Sequence, residues 1–103
     1  MAHRVHLERA AVEGLDELDK ADQEQVYKQL KKLEDAPELG KPLGKRGDIN
    51  LTGYRKLVLA NRRVRVVYRI DPNGVVRVIV IGKREDSEVY RLAERELRRL
   101  RDE

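Results

Sequence analysis

The hydrophobic period changes in mid-chain, and that change restricts the fold more than any other feature. Ala11, Leu15 and Leu18, and then Val26, Leu30 and Leu33, recur at the spacing of amphipathic helices. From Tyr54 onward the period is two. Leu57 and Leu59 alternate with Lys56 and Val58, and Val64, Val66, Tyr68 and Ile70 alternate with Arg63, Arg65, Val67 and Arg69. Val75 to Ile81 is almost continuously apolar, as expected of a central strand covered on both faces. A helical half followed by a strand half specifies an α+β domain.

Local signals set the boundaries. Val5 and Leu7 alternate within a short edge strand, His3 to Leu7. Asp19 is placed to cap the second helix, Asp22 suits its positive end, and Pro37 ends it. Tyr27, beside Val26 and Leu30, reads as a structural residue of that helix. Gly40 to Asp48 is a glycine-rich basic connection. It lacks the Gly-Lys-Ser/Thr of a phosphate loop and is expected to be flexible. Ala60-Asn61-Arg62 and Asp71-Pro72-Asn73-Gly74 are turns between antiparallel strands. Ser87 is the expected cap of a last helix carrying Val89, Leu92, Leu97 and Leu100. The 103 residues thus form a single domain, 1–103, of order β-α-α-β-β-β-α, an antiparallel sheet with a helical hairpin on one face. Leu57, Leu59, Val64, Val66, Tyr68 and Ile70 face the hairpin, and Lys56 and Arg65 fall on the opposite face.

Charge is distributed unevenly along this frame. Residues 41–84 carry twelve basic and two acidic side chains, whereas residues 1–40 carry six basic and ten acidic ones. A cationic central segment calls for a polyanionic partner. Lys41, Lys45, Arg46, Arg55, Arg63 and Lys83 are its candidate polyanion-binding residues. Cysteine chemistry is excluded because the chain has no cysteine. His3 and His6 are three apart, on opposite faces of a strand, which suits no shared metal. Acidic residues are too sparse in the basic segment for a two-metal nuclease site. No apolar run approaches membrane-spanning length, so a cytoplasmic protein with no membrane association is expected.

Lysine, arginine and tyrosine remain, and these suit metal-free cleavage of RNA. A 2′-hydroxyl must lose its proton and attack the adjacent phosphorus, and the 5′-oxygen must be protonated as it leaves. A fixed guanidinium fork suits the charge that builds on the phosphoryl oxygens.

The segment "RVVYRID", Arg65 to Asp71, and the downstream "GKREDSEVYRLA", Gly82 to Ala93, together resemble RelE-type toxins of the RelE/ParE superfamily. The approach "PLGKRGDINLTGYRKL" and the helical hairpin extend the resemblance over essentially the whole chain. It implies a toxin that enters the ribosomal A site and cuts the messenger there, without metal or other cofactor, so that the six polyanion-binding candidates become RNA- and ribosome-binding residues. It also implies a cognate acidic antitoxin that joins the toxin in a hetero-oligomer and neutralises its basic surface. By the same resemblance, Arg65 contacts the scissile phosphate and Arg84 acts as general acid or charge stabiliser. Tyr90 stacks on and orients the substrate, and Lys56 is the first lysine of a K-x-K pair. The chain departs from the pattern at Val58, where the second lysine stands in the best-known members, so the identity of the base stays open. Two alternatives share the fold: a ParE-like inhibitor of DNA gyrase without nuclease chemistry, and a catalytically dead antitoxin-binding relative.

Overall fold

A computed structural model describes residues 2–83 and 85–102. In chain order its elements are β1 (Val5–Leu7), α1 (Arg9–Asp16), α2 (Lys20–Asp35), a 3-10 turn (Pro37–Leu39), β2 (Lys41–Pro42), β3 (Lys45–Arg46), β4 (Ile49–Asn50), β5 (Tyr54–Leu59), β6 (Val64–Ile70), β7 (Val76–Gly82) and α3 (Asp86–Arg101). Five strands form one sheet in the order β1-β7-β6-β5-β2. The β5-β6-β7 meander is antiparallel, as its turns require. Strand β1 runs parallel to β7, so the sheet is mixed and not antiparallel throughout. No tight turn links β1 to its neighbour, and its direction is therefore not tied to a hairpin.

The alternating residues sort as the period demands. Val64, Val66 and Tyr68 join Ala11, Leu15, Leu18, Val26, Leu30 and Leu33 in a core between the sheet and the α1–α2 hairpin, with Leu57, Leu59 and Ile70 packed against it. Helix α3 covers part of the other face, where Val67, Ile79 and Val80 meet Val89, Tyr90 and Ala93. This second layer explains the apolar run of β7, which is covered on both sides. A β-bulge completes the explanation. The register passes from Tyr68 opposite Val78 to Val67 opposite Val80, which leaves Ile79 as an extra residue. Ile79 and Val80 consequently both belong to the α3 side, and Ile81 returns to the hairpin side.

Asp19 caps α2 by accepting the Asp22 backbone N–H at 2.8 Å. The helix stops ahead of Pro37, with Ala36 pushed out of helical geometry (φ −136°). The buried Tyr68 hydroxyl donates to the Pro37 carbonyl at 2.7 Å and accepts the Gly40 N–H at 2.8 Å, fastening the 3-10 turn to β6. Its pKa is raised because burial disfavours the phenolate.

Three local expectations are corrected. Tyr27 is 56% exposed: it lies one residue round the helix from Val26 and so leaves the buried stripe of Val26, Leu30 and Leu33. Helix α3 is capped at Glu85, not Ser87, because Glu85 has the extended backbone of a cap and its carbonyl accepts the Val89 N–H at 3.0 Å. The glycine-rich connection is not plain loop. Strand β2 pairs with β5, and β3 and β4 form a separate small hairpin that turns at Gly47 with φ +63°. Among the described residues no helix is long and apolar enough to cross a membrane.

Candidate nucleic-acid interface

Beyond the edge of α3, the sheet face turned away from the hairpin carries a cleft of about 490 Å³. Lys41, Lys56, Arg62 and Arg65 line it, together with Leu39, Leu57 and Val58. Strand register accounts for the gathering. Lys41 on β2 stands directly opposite Lys56 on β5, and Arg65 on β6 stands opposite Val58. Lys56 lies opposite Val67, which makes Arg65 its diagonal neighbour, roughly 7–8 Å away in a regular sheet. Among the described residues no carboxylate lines the cleft. Leu39 and Val58 are respectively 50% and 39% exposed there and give the cationic cleft an apolar lip.

The turn between β5 and β6 shapes one end. Ala60, Asn61 and Arg62 all have left-handed backbone, with φ of 53°, 54° and 67°. Asn tolerates that region, whereas Ala and Arg each pay on the order of 1 kcal/mol. The turn is closed by Arg63 N–H donating to the Ala60 carbonyl at 3.1 Å, and the Arg65 guanidinium donates to the Arg62 carbonyl at 2.9 Å.

The other basic residues divide. Arg63 does not face the cleft: its guanidinium is drawn to Asp22 at 2.9 Å, a carboxylate whose side chain is 3% exposed. Lys83 is drawn the same way, 3.7 Å from Asp22 and 4.0 Å from Asp19. A buried carboxylate requires countercharge, and these two cations supply it. Arg55 points to the hairpin side and donates to the Gly40 and Glu38 carbonyls at 2.9 and 3.3 Å. Lys45 and Arg46 are exposed on β3, and the Arg46 guanidinium lies 5.4 Å from the centre of the Tyr90 ring. Tyr90 itself is 8% exposed and packed in the α3 core, outside the lining of the cleft. Arg84 lies outside the described residues. The structure thus brings Lys41, Lys56 and Arg65 together and adds Arg62, which the alternation rule could not place because it belongs to a turn.

A larger groove of about 610 Å³ lies between β4, the far ends of β6 and β7, and the last turns of α3. Two of its arginines, Arg69 and Arg77, are paired with carboxylates. Asp71 accepts from Arg69 at 2.6 Å and from Arg77 at 2.9 Å, and Arg77 also holds the buried Glu8. Burial alone would raise the Asp71 pKa, but the hydrogen bonds and charges of Arg77 and Arg69 together outweigh it and hold the pKa low. The bond from Arg99 does the same for Glu96, helped by the Ala10 N–H against a smaller effect of burial. A carboxylate depressed in the folded state stabilises the fold above its unfolded pKa, and that contribution is lost as pH falls through the folded value. Unfolding midpoints are therefore expected to fall below about pH 4. Asp71→Asn should be less stable at pH 7 and lose less between pH 7 and pH 3, as denaturant titrations at the two values would reveal.

Comparison with known proteins adds to this geometry. The family profile of the ParE toxin of type II toxin–antitoxin systems, parDE, matches residues 5–88. A RelE-like toxin protein of Escherichia coli is 36% identical over 102 residues, covering 95% of this chain and 100% of that protein. Among solved structures, the E. coli toxin RelE, as a double arginine-to-alanine mutant in the free state, gives a TM-score of 0.75 at 29% identity. That match covers 94% of this chain and 99% of the other. The same mutant in complex with a peptide of the antitoxin RelB gives 0.69 at 30% identity, covering 90% and 95%.

Proposed function

Because the chain belongs to the RelE/ParE superfamily of type II toxin–antitoxin toxins, we propose that it is a metal-independent endoribonuclease that cuts messenger RNA on the ribosome, in the cytoplasm, and so stops translation. The observation that carries this reading is the cleft in which Lys41, Lys56, Arg62 and Arg65 converge. Such a site attracts a phosphodiester and concentrates positive charge where the transition state gains negative charge.

In this reading Lys56 takes the proton of the 2′-hydroxyl. The freed oxygen attacks the adjacent phosphorus, and the bond to the 5′-oxygen breaks. That oxygen leaves as a hydroxyl after receiving a proton, for which the family resemblance points to Arg84. The products are a 2′,3′-cyclic phosphate and a 5′-hydroxyl end, with no water consumed. Arg65 holds the phosphoryl oxygens. Lys45 and Arg46 extend the cationic surface toward the ribosome, and Tyr90 contributes through Arg46, whose guanidinium its ring supports. Arg55, Arg63 and Lys83 add to the long-range potential from their structural positions. An acidic antitoxin bound over the cleft in a hetero-oligomer would neutralise it. The structure of a RelE mutant with a RelB peptide supports a partner of that kind.

Single-turnover cleavage of messenger on programmed ribosomes tests the assignment. The unsubstituted chain is expected to cut. Lys56→Arg should be nearly as slow as Lys56→Ala, because a guanidinium keeps the charge but is never neutral at rest near pH 7 and so cannot accept the 2′-hydroxyl proton. Val58→Lys should raise the rate by placing a second lysine on the same face. Near-normal cleavage by Lys56→Arg would reduce Lys56 to an electrostatic role. The match to the ParE profile favours a second reading, inhibition of DNA gyrase by binding. Pulse labelling after induction separates the two: protein synthesis stops first in the nuclease reading, and DNA synthesis stops first in the other.

A further inference from the structure

Arg62 and Arg63 are consecutive in sequence and diverge in space. Arg63 is committed to the buried Asp22 on the hairpin side, and Arg62 is exposed and lines the cationic cleft. The divergence depends on the backbone. Three successive residues without a glycine are held left-handed, and the last of them is Arg62. A hairpin can turn with glycine at such positions at no steric cost, so an arginine kept there calls for a use. The bond from Arg65 to the Arg62 carbonyl fixes the turn to the strand that presents Arg65, so the two arginines are held in one rigid arrangement.

Resting on the nuclease reading, we propose that Arg62 is a substrate-binding residue: it grips the RNA phosphate next to the one held by Arg65, and the left-handed turn is retained to aim it. A nucleic-acid strand presents one anion per nucleotide, so a cleft that seats the reacting phosphate meets a second beside it. Arg62 supplies affinity and register, and Lys56 and Arg65 serve the reaction itself.

The test uses Arg62→Gly and Arg62→Lys with the full chain on messenger-programmed ribosomes, alongside thermal unfolding. Glycine relieves the left-handed strain, so Arg62→Gly should unfold at or above the temperature of the unsubstituted chain. Its KM for programmed ribosomes should nevertheless rise about tenfold, the size of one lost charge-assisted contact, with kcat within about twofold. Arg62→Lys should recover most of the KM. A stabilised Arg62→Gly with unchanged KM would overturn the proposal and leave the nuclease reading standing. So would an effect confined to affinity for an acidic antitoxin peptide, which would assign Arg62 to that partner. If the unsubstituted chain fails to cut, the nuclease reading falls and the proposal falls with it.

Discussion

Gly14→Ala is expected to abolish the folded protein. A Cβ at Gly14 would stand 1.6 Å from the carbonyl oxygen of Ile81 and 2.8 Å from its carbonyl carbon. Both are backbone atoms of β7, which is paired on both sides, so no side-chain rotation relieves the clash. Alanine is the better helix former by about 1 kcal/mol, but that gain is small beside the cost of prising α1 from the sheet. Overpacking a core by single methyl groups already costs about 1–3 kcal/mol, and here the displaced atoms are backbone. Against a total stability of about 5–15 kcal/mol, the helix must detach or the sheet must open. Far-ultraviolet circular dichroism and denaturant titration would measure the loss. Gly44→Ala is the control, since nothing lies within 4 Å of its Cβ and its backbone is not left-handed. A Gly14→Ala protein that unfolds like the unsubstituted chain would mean that α1 does not lie this close to β7.

Arg65→Ala should leave the protein folded and slow messenger cleavage by about a hundredfold or more. The side chain is only partly buried, and its hydrogen bond to the Arg62 carbonyl is exposed, so truncation opens no cavity in the core. Loss of a donor aimed at developing charge has that order of effect on rate. Arg65→Lys should fall between the two, because it keeps the charge and loses the fork. Single-turnover rates on ribosomes, with unfolding midpoints measured in parallel, give the result. Equal rates for Arg65→Ala and the unsubstituted chain would remove Arg65 from the reaction. A loss explained wholly by weaker ribosome association would make it a docking residue.

The two hydrophobic periods carried the architecture into view because each is a direct imprint of burial: Val64, Val66 and Tyr68 had to share one face, and Asp19 had a helix start to cap. What stayed hidden depends on contacts between segments distant in sequence. Nothing local tells that β1 will lie alongside β7, or that the run in β7 conceals an extra residue at Ile79. Gly14 stands in a helical pattern where glycine is costly, but nothing in that pattern names Ile81 as the backbone it approaches. Within the candidate site, alternation placed Lys56 and Arg65 on one face. It could not show that Arg63 and Lys83 would be drawn to Asp22, because a buried carboxylate looks in sequence like any helix-start aspartate. Arg62 was missed because its backbone conformation is ordinarily signalled by glycine, and the turn has none.

The position of β7 in the chain also governs when the molecule comes into being. The strand follows β1, α1 and β6 in the chain, yet all three, and α3 after them, pack on it. While the growing chain lacks residues 76–82, β1 has no partner strand and α1 has no surface at Gly14 to close on. The β5–β6 hairpin can form by itself, but a lone hairpin is at best marginal in water, so the cleft it carries is not held in shape. Contacts between segments distant in sequence are the slow ones to form. Assembly of the cationic cleft is thereby deferred until residues 76–82 have been made, and until then the ribosome that makes the protein works beside an unassembled one.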